Sequence, residues 1–304
     1  MASDWTGVFP ALMTEFKQDG QLDLEGTARH VESMLNAGVD GFVMLGTLGE
    51  NASLAPEEKE AVLKTAVDTA AGRVPVLSGT AEYTSAFAIG HARRAERAGC
   101  AGLMVLPCMV YQADARENVA HFKTVAANTD LPIMVYNNPV TYGVDLKPEQ
   151  FEELAECKTI VAIKESSDDV RRITDLINQV GDRFTLFCGV DDIVVESVML
   201  GAHGWVAGLV NAFPHEAVQL YRLAAAGRMD EARALYRWFM PLLHLDCHTK
   251  LVQYIKLANA MTGEGSEWTR PPRLPLVGEE RARIQAIIQA GIDNRPSDIP
   301  VAAQ

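Results

Sequence analysis

The chain has 304 residues, 48% hydrophobic and 22% charged, with a formal net charge of -13, an ordinary globular balance that fits one large barrel or two smaller domains. The acidic surplus argues against nucleic acid and anionic membrane as partners, and no apolar run approaches the roughly 20 residues that a spanning helix needs. Five cysteines, Cys100, Cys108, Cys157, Cys188 and Cys247, form an odd set without a CxxC pair, and the opening "MASDWTGVFP" lacks a secretory layout; both lead us to expect reduced thiols in a cytoplasmic protein.

Along the chain, apolar strands alternate with amphipathic helices. The first strand is predicted over residues 7–12. A helix follows, with Leu24, Ala28, Val31, Met34 and Leu35 at helical spacing and Asp23 as its N-cap. Gly38 supplies the left-handed residue that stops it. The second strand, 41–45, leads into "GTLGEN", and the next helix starts near Pro56, Glu57 and Glu58 and ends by Gly72. Further strands are predicted at 74–78, 102–106, 133–136, 160–164, 185–188 and 204–207. Three segments echo one another: "AGVDGFVML", "AGCAGLMVL" and "LGAHGWVAGL". Each reads as a helix end, a glycine stop and an apolar strand. The strands are continuous apolar runs, as parallel strands covered on both faces are. Eight such units predict a (β/α)8 TIM barrel. An open doubly wound sheet competes, but no GxGxxG follows the first strand. Beyond residue 215 only helices are predicted, the first broken at Pro241, ending in a loose tail "NRPSDIPVAAQ". The expected division is a barrel over 1–215, then a closing helix and a small helical C-terminal extension over 216–304.

Catalytic groups of such barrels sit at the C-terminal strand ends. That rule selects Lys164 in "TIVAIKESSDD", Tyr136 in "IMVYNNPVTYG", the turn "GTLGEN" and the segment "CGVDD". A buried amine that loses its proton attacks a ketone, and the protonated imine then stabilises a carbanion. A phenol moves protons, and turn amides hold a carboxylate. Plainer alternatives stay open. Lys164 could be neutralised by Glu165 or by an acid on the next strand, and Tyr136 could be a rim aromatic bonded to backbone.

Together these motifs resemble the dihydrodipicolinate synthase / N-acetylneuraminate lyase superfamily over nearly the whole chain. "GTLGE" is similar to that family's GTTGE, "YNNP" to its tyrosine motif and "IVAIKESS" to its Schiff-base lysine motif. The resemblance implies a (β/α)8 barrel, a homotetramer built as a dimer of dimers, and a small 2-oxo acid or cyclic imine as substrate. It implies neither cofactor nor metal. By it, Lys164 forms the imine, Tyr136 transfers protons, Thr47 is the relay hydroxyl, and the amides of Thr47 and Leu48 hold the carboxylate. The resemblance further implies a substrate pocket of Gly46, Leu48, Met109, Thr141, Gly189, Asp191 and Val206.

Four positions depart from the pattern or bear on a departure. Leu48 replaces the second threonine of GTTGE. Met109 stands where the family's relay tyrosine would be, with Tyr111 two residues away. Thr141 stands where the synthase carries an arginine for a second carboxylate, a bidentate pair that no neutral side chain makes. These departures turn the expectation from dihydrodipicolinate synthase itself toward a hydro-lyase or deaminase of the hydroxyproline-breakdown type, acting on 1-pyrroline-4-hydroxy-2-carboxylate. A 2-keto-3-deoxy sugar acid aldolase or dehydratase is the alternative, and a non-catalytic 2-oxo acid sensor is the last. "HLDCH" puts His244, Cys247 and His248 at a helical spacing that could hold a metal, although an interfacial helix face is the better explanation.

Overall fold

The computed structural model describes residues 5–299. Eight parallel strands follow the order β1-β8-β7-β6-β5-β4-β3-β2: β1 Gly7–Pro10, β2 Phe42–Met44, β3 Val76–Thr80, β4 Gly102–Val105, β5 Ile133–Asn137, β6 Ile160–Glu165, β7 Thr185–Cys188 and β8 Gly204–Ala207. A bridge between Ala11 and Val43 joins the two ends of the sheet, with the Leu12 amide donating to Val43 O at 2.9 Å. The predicted TIM barrel is thus the observed fold, and every strand lies within two residues of its predicted bounds.

The helices are α1 Leu24–Ala37, α2 Pro56–Ala70, α3 Ser85–Ala98, α4 Ala115–Ala126, α5 Pro139–Tyr142, α6 Pro148–Leu154, α7 Arg171–Val180, α8 Val194–Met199, α9 Pro214–Ala225, α10 Met229–Leu243, α11 Leu251–Thr262 and α12 Gly278–Asp293. Local chemistry sets their ends. Asp23 accepts from the Gly26 amide at 2.8 Å and caps α1, worth about 1 kcal/mol. Gly38 and Gly99 close α1 and α3 at φ 85° and 87°, in the left-handed region. Pro241 does not break α10. It falls in the last turn, and the helix stops two residues later at Leu243.

Alternation along the strands divides the core in two. Phe9, Val43, Leu77, Met104, Met134 and Phe187 fill the barrel interior, with Phe9 and Phe187 edge to face at 5.2 Å. Val8, Phe42, Leu103, Ile133, Ile163 and Leu186 point outward under the helices. Helix α9 packs on β1 and β8, and α10, α11 and α12 pack as a further helical layer. The expected loose tail is tied at its start, where Arg295 donates to the buried Glu216 carboxylate of α9. Residues 300–304 of that tail lie outside the described residues. No helix among the described residues is long and apolar enough to cross a membrane.

Candidate active site

Lys164 is the penultimate residue of β6 and stands directly across from Tyr136 on β5. The two side chains therefore leave the sheet on the same interior face. Glu165 leaves on the other, where its carboxylate accepts from Asn137 Nδ2 at 3.1 Å and from the Ser167 amide at 2.7 Å. It is not the neutralising partner of Lys164 that the sequence left open. Lys164 is 6% exposed, and its Nζ lies 4.0 Å from the centroid of the Tyr136 ring. Burial pulls its pKa below that of an ordinary lysine, against the opposing pull of Asp246, Tyr142 and Asp191.

Asn138 orients the phenol. Its Nδ2 donates to Tyr136 Oη at 2.9 Å, while its Oδ1 accepts from the Thr141 amide at 2.9 Å and caps α5. Burial pushes the Tyr136 pKa up to about 12, so the neutral phenol is a donor at neutral pH. The one-turn helix α5 ends on Tyr142, whose ring meets that of Tyr136 edge to face at 5.8 Å. Tyr142 Oη and Thr47 Oγ1 share a hydrogen bond of 2.5 Å. Phenol, phenol and hydroxyl thus line one side of the space above Lys164.

The turn after β2 faces them. Leu45 and Glu50 bracket it in the left-handed region, at φ 57° and 54°, a conformation held only where surroundings over-determine it. Here Asn51 Nδ2 donates to Leu45 O at 3.0 Å and Thr14 Oγ1 donates to Gly49 O at 2.8 Å. The amides of Thr47 and Leu48 have no protein acceptor among the described residues. The turn is also gripped from below. Glu50, fully buried, lies 2.9 Å from the equally buried Lys256 of α11. Lys256 Nζ donates in addition to Thr14 O at 2.8 Å and Trp268 O at 2.6 Å.

A cavity of about 490 Å³ opens at these strand ends. Nine of the ten candidate residues line it: Lys164, Tyr136, Thr47, Gly46, Leu48, Met109, Thr141, Gly189 and Val206. Asp191 is the exception. It is 0% exposed, and its carboxylate accepts from Trp205 Nε1 at 3.0 Å, the Gly208 amide at 3.0 Å and the Leu209 amide at 2.7 Å. Those donors leave it no free face toward a substrate. Burial raises it to about 6. Gly189 matters for the room it leaves, since a Cβ there would fall 2.6 Å from Lys164 Cε.

Among the cavity residues that sequence reasoning missed are Tyr142, Asp246 and Arg273. Tyr142 lay inside the "YNNPVTYG" motif, but nothing there announces a one-turn helix aimed at Thr47. Tyr111 does not fill the place left by Met109 within this cavity, for it is exposed and donates to Glu117 at 3.0 Å. The "HLDCH" segment forms turns rather than a helix. His244 bonds Asp192 at 2.7 Å, and His248 stacks on Tyr254. The described residues hold no group of three ligands suited to a metal.

Fold and cavity together define a class: a (β/α)8 enzyme with its pocket at the C-terminal strand ends, built around a buried lysine with a phenol beside it. Residues 4–291 match the model of the dihydrodipicolinate synthetase family, and the chain belongs to that family. It is 33% identical to the 4-hydroxy-tetrahydrodipicolinate synthase of Methanothrix thermoacetophila, over 93% of this chain and 95% of that protein. It is 31% identical to YagE of Escherichia coli K12, provisionally named a 2-dehydro-3-deoxy-D-gluconate aldolase, over 94% and 96%. Among solved structures, the 4-hydroxy-tetrahydrodipicolinate synthase of Methylacidiphilum fumariolicum SolV superposes with a TM-score of 0.91 at 29% identity, over 95% and 97% of the two chains. YagE in complex with pyruvate gives 0.89 at 30%, over 95% and 99%. These homologues are lyases and aldolases, and the chain is an enzyme of that kind.

Proposed function

We propose that Lys164 forms a Schiff base with a small 2-oxo acid or cyclic imine. The observation that carries this reading is Lys164 itself, buried, without a salt-bridge partner among the described residues and with its Nζ against the Tyr136 ring. Burial favours the free amine, and the amine attacks C2 of the substrate. The oxygen leaves as water, or in a cyclic imine the ring nitrogen is displaced. The substrate carboxylate rests on the Thr47 and Leu48 amides, which have no protein acceptor among the described residues. Tyr136 moves the proton at C3, and Thr47 with Tyr142 passes it along their shared hydrogen bond.

For the substrate, the reading best supported is 1-pyrroline-4-hydroxy-2-carboxylate. Its ring carries one carboxylate and needs no arginine at Thr141, which is neutral and exposed. Net, one water enters, ammonia leaves, and an open-chain 2-oxo acid with a terminal aldehyde remains. Likeness to YagE favours a second reading, aldol cleavage of a 2-keto-3-deoxy sugar acid to pyruvate. Borohydride added with pyruvate should fix a mass increment on Lys164, seen by intact mass and peptide mapping, and Lys164→Ala should abolish it. An active protein that yields no adduct with any 2-oxo acid overturns the mechanism. Ammonia released from the hydroxypyrroline, against pyruvate released from the sugar acids, decides the substrate.

A further inference from the structure

Two carboxyl groups crowd Gly208 at the end of β8, and they are held in opposite ways. Asp191 comes from the segment after β7 and is saturated by the Trp205 indole and the Gly208 and Leu209 amides. Asp246 comes from the turn between α10 and α11. Its Oδ1 lies only 2.0 Å from where a Cβ on residue 208 would be, so only glycine lets it stand there. Its carboxyl lines the cavity and accepts no hydrogen bond from protein among the described residues. Asp246 is half-buried at the cavity wall, so solvent or a bound substrate, rather than a protein donor, must satisfy its carboxyl.

We propose that Asp246 is a catalytic acid, donating a proton to the oxygen that leaves C4 of a substrate held as an imine on Lys164. The proposal rests on the Schiff-base reading above and names the chemistry at the far side of the same site. Tyr136, having first given its phenolic proton to the group that leaves C2, takes the C3 proton as phenolate, and the enamine pair then re-forms the C2–N double bond. The C2–C3 pair moves to C3–C4, and the C4–O bond breaks. The leaving oxygen takes the Asp246 proton and departs as water, leaving an Asp246 carboxylate that regains a proton from solvent through the cavity mouth. The groups that act on Asp246 suit this role. Burial and the neighbouring Asp191 and Asp192 favour its protonated form, and Lys164 opposes them; once Lys164 is consumed as an imine and C4–O breaks, the developing negative charge takes the proton. The substrate class that follows is a 2-oxo acid, or its cyclic imine, with a hydroxyl at C4.

The test compares Asp246→Asn with the unaltered protein in three measurements. With pyruvate and borohydride, the variant should still label Lys164, because the imine bond takes no proton from Asp246; only the rate follows the altered field at Lys164. With 1-pyrroline-4-hydroxy-2-carboxylate, turnover should fall by about 10²–10⁴-fold, the usual worth of a positioned acid. With the 4-fluoro counterpart, whose leaving fluoride needs no proton transfer, release read by a fluoride electrode should stay within about tenfold of the parent. Gly208→Ala, whose methyl displaces the Asp246 carboxylate, should reproduce the same selective loss. Equal losses with hydroxyl and fluorine substrates would make Asp246 a mere counter-ion of Lys164 and overturn the proposal. So would a variant with undiminished turnover, or a parent enzyme that cleaves C3–C4 without losing the C4 oxygen. A parent protein that traps no oxo acid would instead sink the Schiff-base reading, a separate outcome.

Discussion

Substituting Gly189 by alanine tests whether the position of the Lys164 amine matters as much as its identity. The added methyl would lie 2.6 Å from Lys164 Cε, 2.8 Å from Lys164 Cγ and 2.0 Å from Ser166 Oγ. Ordinary contact begins near 3.4 Å, so the lysine stem must retreat by about 1 Å while Ser166 rotates away. A misplacement of that size costs a reaction about 10²-fold, since it takes the attacking atom out of its near-attack geometry. Overpacking adds a stability loss of about 1–3 kcal/mol, so thermal unfolding must be followed in parallel. We expect the rate of borohydride-dependent labelling by pyruvate and the kcat of the natural reaction to fall together by about two decades, in protein that remains folded at the assay temperature. Labelling and turnover within about threefold of the parent would show that the lysine finds its place regardless, and would refute the steric argument.

Removing the Tyr136 hydroxyl with Tyr136→Phe should cut kcat by about 10²–10⁴-fold, whereas Tyr142→Phe, at the far end of the relay, should cost about tenfold; steady-state kinetics showing the reverse order would reassign the proton carrier. Lys256→Met leaves the buried Glu50 carboxylate with only Arg273 at 3.7 Å and the Arg270 amide and should destabilise the protein by about 2–4 kcal/mol in urea unfolding, with a loss under about 1 kcal/mol counting against the pair. Tyr83, Phe87, Val110, Tyr111 and Val140 stand 59–87% exposed on segments after β3, β4 and β5, more large apolar side chains than a free rim normally shows. Sedimentation over a range of concentrations should therefore show self-association, and a monomer throughout would contradict it.

The barrel was legible because its signal is carried by local rules. Apolar runs, glycine stops and caps recur along the chain, and each is readable within a dozen residues. Lys164 and Tyr136 were legible for the same reason, since strand ends mark them. What escaped depends on contacts distant in sequence. Asp246 reaches the cavity from a turn between two helices outside the barrel, and "HLDCH" read locally suggested a helix face. Asp191 was misjudged because its donors, Trp205 and the Gly208 and Leu209 amides, come from a different strand end. No local pattern distinguishes a carboxyl saturated by such donors from one left free. Tyr142 was overlooked because its direction is set by the Asn138 cap on a helix of four residues.

The grip of α11 on the turn after β2 has a consequence for the order in which the protein becomes competent. The eighth strand ends at Ala207, so every strand of the barrel has been made while about a third of the chain is still unsynthesised. At that stage Glu50 would be buried against nothing, for Lys256 and the Arg270 amide that accompany it come later. A chain emerging from the ribosome therefore has Lys164 and Tyr136 in place before the turn at residues 46–51 is settled. Fragments ending before Leu251 should leave the turn at residues 46–51 open to limited proteolysis, while the intact chain protects it. On the proposed mechanism, activity should begin only once the last helices have arrived, so that a half-made barrel stays inert.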